Sequence, residues 1–99
     1  MLLGVMMKVL ITFKIHKGFN AWLKMADEIK PIMEEMGIKM HWSGTNPEET
    51  IVYDLLEIKN PEDAKGFAQR KDIEKARSEA GVKIESIKTL STIYREKNW

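Results

Sequence analysis

The chain has 99 residues, 43% hydrophobic and 31% charged, which is the balance of one soluble globular domain spanning 1–99. Sixteen Lys and Arg against fifteen Asp and Glu leave a formal charge of +1, so no imbalance points to nucleic acid, an anionic membrane or another polyanion as partner. Cysteine is absent, which removes disulfides, thiolate metal sites, iron–sulfur clusters and cysteine nucleophiles.

The longest apolar run, Met1 to Met7, is far short of the roughly 20 residues that span a bilayer. It has no basic n-region and no small-residue cleavage site. It is expected to be a short extension over residues 1–6 that feeds the first strand, with the cytoplasm as the expected compartment. Lys8 to His16 alternates: Val9, Ile11, Phe13 and Ile15 share one face, and Leu10, Thr12, Lys14 and His16 the other. Lys17-Gly18 ends this strand. From Asn20 to Met36 the period becomes helical, with Phe19, Trp22, Leu23, Ala26, Ile29, Met33 and Met36 in one stripe. Asn20 reads as the N-cap and Gly37 as the residue past the C-terminus, while Pro31 predicts a kink.

Ile38 to Gly44 predicts a second strand with Ile38, Met40 and Trp42 on one face. After a turn-rich Thr45–Glu49, Thr50 to Ile58 predicts a third strand that is apolar on both sides. Ile51, Tyr53 and Leu55 oppose Val52, Leu56 and Ile58, and Asp54 lies with the second set. Asn60-Pro61-Glu62-Asp63 opens the next helix with a cap, a proline in the first turn and acids facing the positive dipole end. The pattern stutters at Arg70-Lys71-Asp72 and resumes with Ile73, Ala76 and Ala80, which predicts two short helices ending at Gly81. Val82 to Arg95 reads as the last strand region, with a bulge expected near Glu85-Ser86. The predicted order is β-α-β-β-α-β, an α+β fold of ferredoxin-like type with four antiparallel strands and the helices on one face.

Two helical layers cannot cover both faces of such a sheet. An antiparallel sheet with one wet face alternates apolar with polar, and the first and third strands do not. Leu10, Ile51, Tyr53, Leu55, Leu90 and Tyr94 are expected on the uncovered side. Left in water, each large apolar side chain forgoes about 1.5–3 kcal/mol. The expected cover is a second copy packed sheet to sheet in a two-fold homodimer, with Thr12, Lys14, His16, His41 and Ser43 making that interface partly wet.

Phe19-Asn20-Ala21-Trp22, Met36-Gly37-Ile38, Ile51 to Glu57, Phe67-Ala68-Gln69, Asp72 to Ala76 and Ala80-Gly81-Val82 together give the chain its family likeness. On these blocks it resembles the dimeric α/β-barrel superfamily, and within it the small uncharacterised relatives of antibiotic-biosynthesis monooxygenases. Many of those relatives have Ser-Pro at the bend where this chain has Arg70-Lys71. The resemblance implies a face-to-face dimer with a pocket between helices and sheet in each protomer. It does not imply one chemistry, because members include cofactor-free oxygenases, haem-degrading enzymes, lyases and non-enzymatic ligand sensors. Haem-degrading relatives use an Asn on the first strand and a His from the second helical region. Here Phe13 stands at the first position and no His lies between Pro61 and Gly81, so no cofactor is expected.

Three side chains are candidates for chemistry. His16 and His41 are the two histidines, each readable as a general base or proton shuttle or as a semi-buried polar residue on the barrel side of the sheet. Asp54, an acid in an apolar strand, reads as a base or as the partner of Lys14, His16 or His41. Neither histidine has a partner at ligand spacing, so no metal is expected. Phe13, Trp22, Met33, Met40, Trp42 and Phe67 are expected to line the pocket, with Tyr53 as a nearby polar group. The reading is a homodimer that binds a small apolar molecule. As an enzyme, the resemblance suggests cofactor-independent oxygenation or proton transfer on an aromatic or acyl-chain substrate. The alternatives are a binding or sensing module without turnover, and a purely structural dimer.

Overall fold

The computed structural model describes residues 6–99, so all of the expected extension except Met6 lies outside the described residues. The elements are β1 (Met7–Lys14), α1 (Phe19–Glu35), β2 (Ile38–Thr45), β3 (Ile51–Ile58), α2 (Pro61–Gln69), α3 (Lys71–Glu79) and β4 (Lys88–Ile93), with a 3-10 turn at Ile84–Ser86. The strands form one antiparallel sheet in the order β2-β3-β1-β4. This is the ferredoxin-like βαββαβ arrangement. Buried side chains of all three helices join those of β1, β2 and β3 in one core, so the helices cover a single face. None of the described helices is long and apolar enough to cross a membrane.

Local chemistry accounts for most boundaries. Asn60 caps α2 by accepting the Glu62 N–H at 2.9 Å, and Pro61 occupies the first turn, where its missing N–H has no intrahelical partner to lose. Arg70, in extended conformation, separates α2 from α3 as the stutter predicts. Gly81 stands at φ +96°, where a Cβ would lie 2.8 Å from the Lys17 Cβ, so the exit from α3 requires glycine. The start of α1 differs from expectation. Its N-cap is Gly18 rather than Asn20, and Glu49 supplies the missing acceptor from the β2–β3 connection, taking the Phe19 N–H at 2.8 Å. A negative charge there also meets the positive end of the helix dipole. The helix runs on through Pro31 to Glu35. Its buried side is Trp22, Met25, Ile29 and Met33, which turns Leu23 toward solvent.

Two bulges redistribute side chains that simple alternation misplaces. In β2, Met40 pairs with Leu56 but Trp42 pairs with Leu55, leaving His41 as the extra residue. Trp42 is thereby moved to the face opposite Met40, where it is 50% exposed, and Ser43 is brought to the helix side beside Asp54. In β4 the register shifts between Ser91 and Thr89, so the bulge sits at Leu90, and the predicted irregularity at Glu85-Ser86 is the 3-10 turn instead. Tyr94 falls just past β4 and is fully in solvent, as is Trp99, whose ring has the Lys97 ammonium 4.9 Å from its centroid.

Candidate functional site

β3 is a central strand, paired on both edges, and its strict alternation builds the site. Val52, Asp54 and Leu56 point into the helix–sheet layer and are buried. Asp54 lies opposite Ile11 of β1 and Ser43 of β2, and only 3% of it is exposed. Its Oδ1 has no hydrogen-bond partner among the described residues. The carboxylate borders a cavity of about 30 Å³ whose walls include Phe13, Trp22, Ile29 and Arg77. Phe13 and Trp22 meet with ring centroids 5.7 Å apart.

Arg77 is the second polar component. It projects from α3, half-buried, with its guanidinium carbon 5.4 Å from the Phe67 ring centroid. Among the described residues it makes no side-chain hydrogen bond and no ion pair within 4.0 Å, although it lines the same cavity as Asp54. The two groups influence each other across that space. Burial pushes the Asp54 carboxyl up from its ordinary 3.8 to about 6, partly opposed by the Ser43 hydroxyl and the Arg77 charge. Burial likewise lowers the Arg77 pKa, and the Asp54 charge opposes that. The Ser43 hydroxyl also lies 3.1 Å from the Met40 sulfur.

An open groove of about 310 Å³ runs between α2 and the sheet, walled by Val9, Met33, Ile58, Ala64 and Phe67 among others. Ile11, Leu56, Arg77 and Ile87 line both this groove and the cavity, so the two spaces are neighbours that share these four walls. The lining is apolar apart from Arg77 and the two threonines Thr89 and Thr92. A groove of this size is at the lower end for a small-molecule site. Among the described residues no cluster of three His, Asp or Glu side chains is positioned to hold a metal ion.

The residues singled out in the sequence divide between two faces. Phe13 and Trp22 stand at the cavity, and Met33 and Phe67 at the groove. Met40 is partly buried against the same core without lining either space. Trp42 and Tyr53 lie on the open face of the sheet and so are not between helices and sheet. His41 is also removed from the cavity, its Nε2 sitting 2.9 Å from a Glu57 carboxylate oxygen. His16 is exposed beyond β1. None of Lys14, His16 and His41 is therefore the partner of Asp54; Arg77 and Ser43 are its polar neighbours. Arg77 was hidden in a charged run that reads as a solvated face. The signal for it is helical spacing, because Ile73, Ala76, Arg77 and Ala80 fall on one inward stripe.

The open face carries Leu10, Ile51, Tyr53, Leu55, Trp42 and Leu90, half-buried or exposed. Thr12, buried among them, donates its hydroxyl to the Val52 carbonyl at 2.9 Å. The His41–Glu57 pair and a Lys8–Glu96 ion pair at 2.9 Å add charged groups from β1, β2, β3 and the C-terminal segment. No protein-family model matches the chain, and the search of curated proteins likewise finds no match.

Proposed function

We propose that this protein binds a small, largely apolar molecule between its helices and its sheet, and does so as a homodimer closed over the open sheet face. One observation carries the binding reading: an apolar groove shares Arg77 with a small neighbouring cavity bordered by a buried carboxylate, one oxygen of which has no partner among the described residues. A group buried without a partner costs stability, and native structures retain few of them outside functional sites. A carboxyl that titrates at about 6 is a competent general base near neutral pH. On this reading the enzyme form of the function is cofactor-independent proton transfer or oxygenation, initiated by Asp54 taking a proton from the bound molecule. The same groove in a sensor would hold the ligand and leave it unchanged.

The dimer rests on area. Four strands spaced about 4.8 Å apart, each rising about 3.3 Å per residue, make a sheet face of roughly 500 Å² before side-chain relief is added. Stable interfaces bury about 800 Å² per partner, so the relief of side chains such as Trp42 and Leu90, 50% and 46% exposed, must supply the area beyond the flat face. Native mass spectrometry tests both parts. The expected species has twice the 11.5 kDa chain mass and carries added small-molecule mass. A bare single subunit at micromolar concentration would remove the dimer. A groove that takes up no small apolar probe in ligand-observed NMR would remove the binding function. If binding persists in Asp54→Asn while every turnover assay of the native protein is negative, the sensor form stands and the enzyme form falls.

A further inference from the structure

We infer that the ligand of this groove carries a carboxylate or similarly compact anionic group, and that Arg77 is the residue that receives it. The inference rests on the binding function proposed above and names the class of molecule. Among the described residues Arg77 is the one charged side chain that lines the groove. A guanidinium presents five N–H donors in a rigid fork, which matches a carboxylate in two parallel hydrogen bonds. Here none of those donors is taken by a protein acceptor among the described residues, although the side chain is half-buried. The Phe67 ring, 5.4 Å from the guanidinium carbon, supports its position and leaves the fork edge unoccupied. Every other wall contributes aliphatic, aromatic or threonine surface. An apolar body with one anionic end satisfies both parts; a neutral hydrocarbon would displace water from the guanidinium without replacing its hydrogen bonds.

Arg77 is not held in reserve for Asp54. The two line one cavity but form no ion pair within 4.0 Å, and among the described residues Asp54 Oδ1 remains without a partner.

Matched probes test this: octanoate against octanol, and phenylpropanoate against phenylpropanol, titrated at neutral pH and followed by backbone NMR shifts. The expected result is that each acid binds about tenfold to a hundredfold more tightly than its alcohol, the range for charge-assisted hydrogen bonds. Shifts should centre on Phe67, Ile73 and Arg77 rather than on the open face. Arg77→Gln should abolish the preference by lowering acid affinity to that of the alcohol in the same variant, and Arg77→Lys should restore part of it because a point charge lacks the fork. Alcohol binding in each variant shows that the groove is still formed. Equal affinity of acid and alcohol in the native protein overturns the anionic class but leaves groove binding standing. If neither series binds in the groove, the proposed function falls and this inference with it.

Discussion

Replacing Asp54 by asparagine isolates the energetic cost of the buried carboxylate. In the folded chain this group titrates at about 6 rather than 3.8. The folded state therefore keeps a proton, between those values, that the unfolded chain has released. Its contribution to stability is fully present below the unfolded value, declines as pH rises, and is lost above about 6. At 1.36 kcal/mol per pKa unit the loss amounts to about 3 kcal/mol. The amide of Asp54→Asn does not titrate, and its own unsatisfied hydrogen bonds cost an amount independent of pH. The quantity to measure is thus the difference in unfolding free energy between variant and native protein. That difference should move by about 2 kcal/mol in favour of the variant from about pH 4 to pH 8, since part of the effect is already spent at pH 4. Urea unfolding followed by fluorescence suits the measurement, because Trp22 is 3% exposed and borders the same cavity. Protomer concentration must be held constant, since association with a second copy would contribute to apparent stability. A difference that stays flat over this range, or moves in favour of the native protein, would refute the idea that burial without a full partner dominates at Asp54.

Four further outcomes follow from other parts of the molecule. Leu55→Arg places a charge on the open face; because a two-fold interface repeats the change, the loss of about 3–6 kcal/mol should weaken the dimer by roughly two to four decades, read as a fall in mass by light scattering. An unchanged mass would show that this face is not the contact. Gly81→Ala should lower stability by about 1–3 kcal/mol or more, since both the positive φ and the Lys17 backbone nitrogen 3.0 Å from the new Cβ oppose it. Gly18→Ala should cost less: its φ is also positive, but the nearest atom to the new Cβ is the Glu49 carboxylate at 3.7 Å. Asn60→Ala removes the acceptor for the Glu62 N–H and should cost about 1 kcal/mol in thermal or urea unfolding.

The fold was legible because period and punctuation agreed along the chain. Alternation in Lys8–His16, the helix ending before Gly37, and the cap at Asn60 each appear as expected, and the sheet order follows from connection rules. What alternation could not show was the extra residue at His41. A bulge leaves no compositional mark here, yet it carries Trp42 from the pocket side to the open face and brings Ser43 to Asp54. Asp54 itself was visible as an acid in an apolar strand, but its partner was not. Lys14 and the histidines are nearer in the naive pairing, whereas Arg77 comes from a helix whose composition looks solvated. The capping of α1 by Glu49 was illegible for a related reason: its acceptor comes from a loop 30 residues away in sequence.

The same short strand serves both surfaces. Ile51, Tyr53 and Leu55 face the open side, and Val52, Asp54 and Leu56 face the helices, in strict succession. A slip of one residue would exchange the two sets, burying Tyr53 beneath the helices and exposing Asp54 on the sheet. That exchange would relieve the carboxylate, so the neighbouring side chains must oppose it more strongly than the acid favours it. Val52, 0% exposed, and Leu56 do so, each losing about 1.5–3 kcal/mol if moved to water, and the ladder on both edges of β3 holds the register. The buried acid is consequently tolerated because its neighbours on the strand over-determine its place. A group that the fold must hold against its own preference, beside a cation with free donors, is where binding energy from outside the chain has the most to gain.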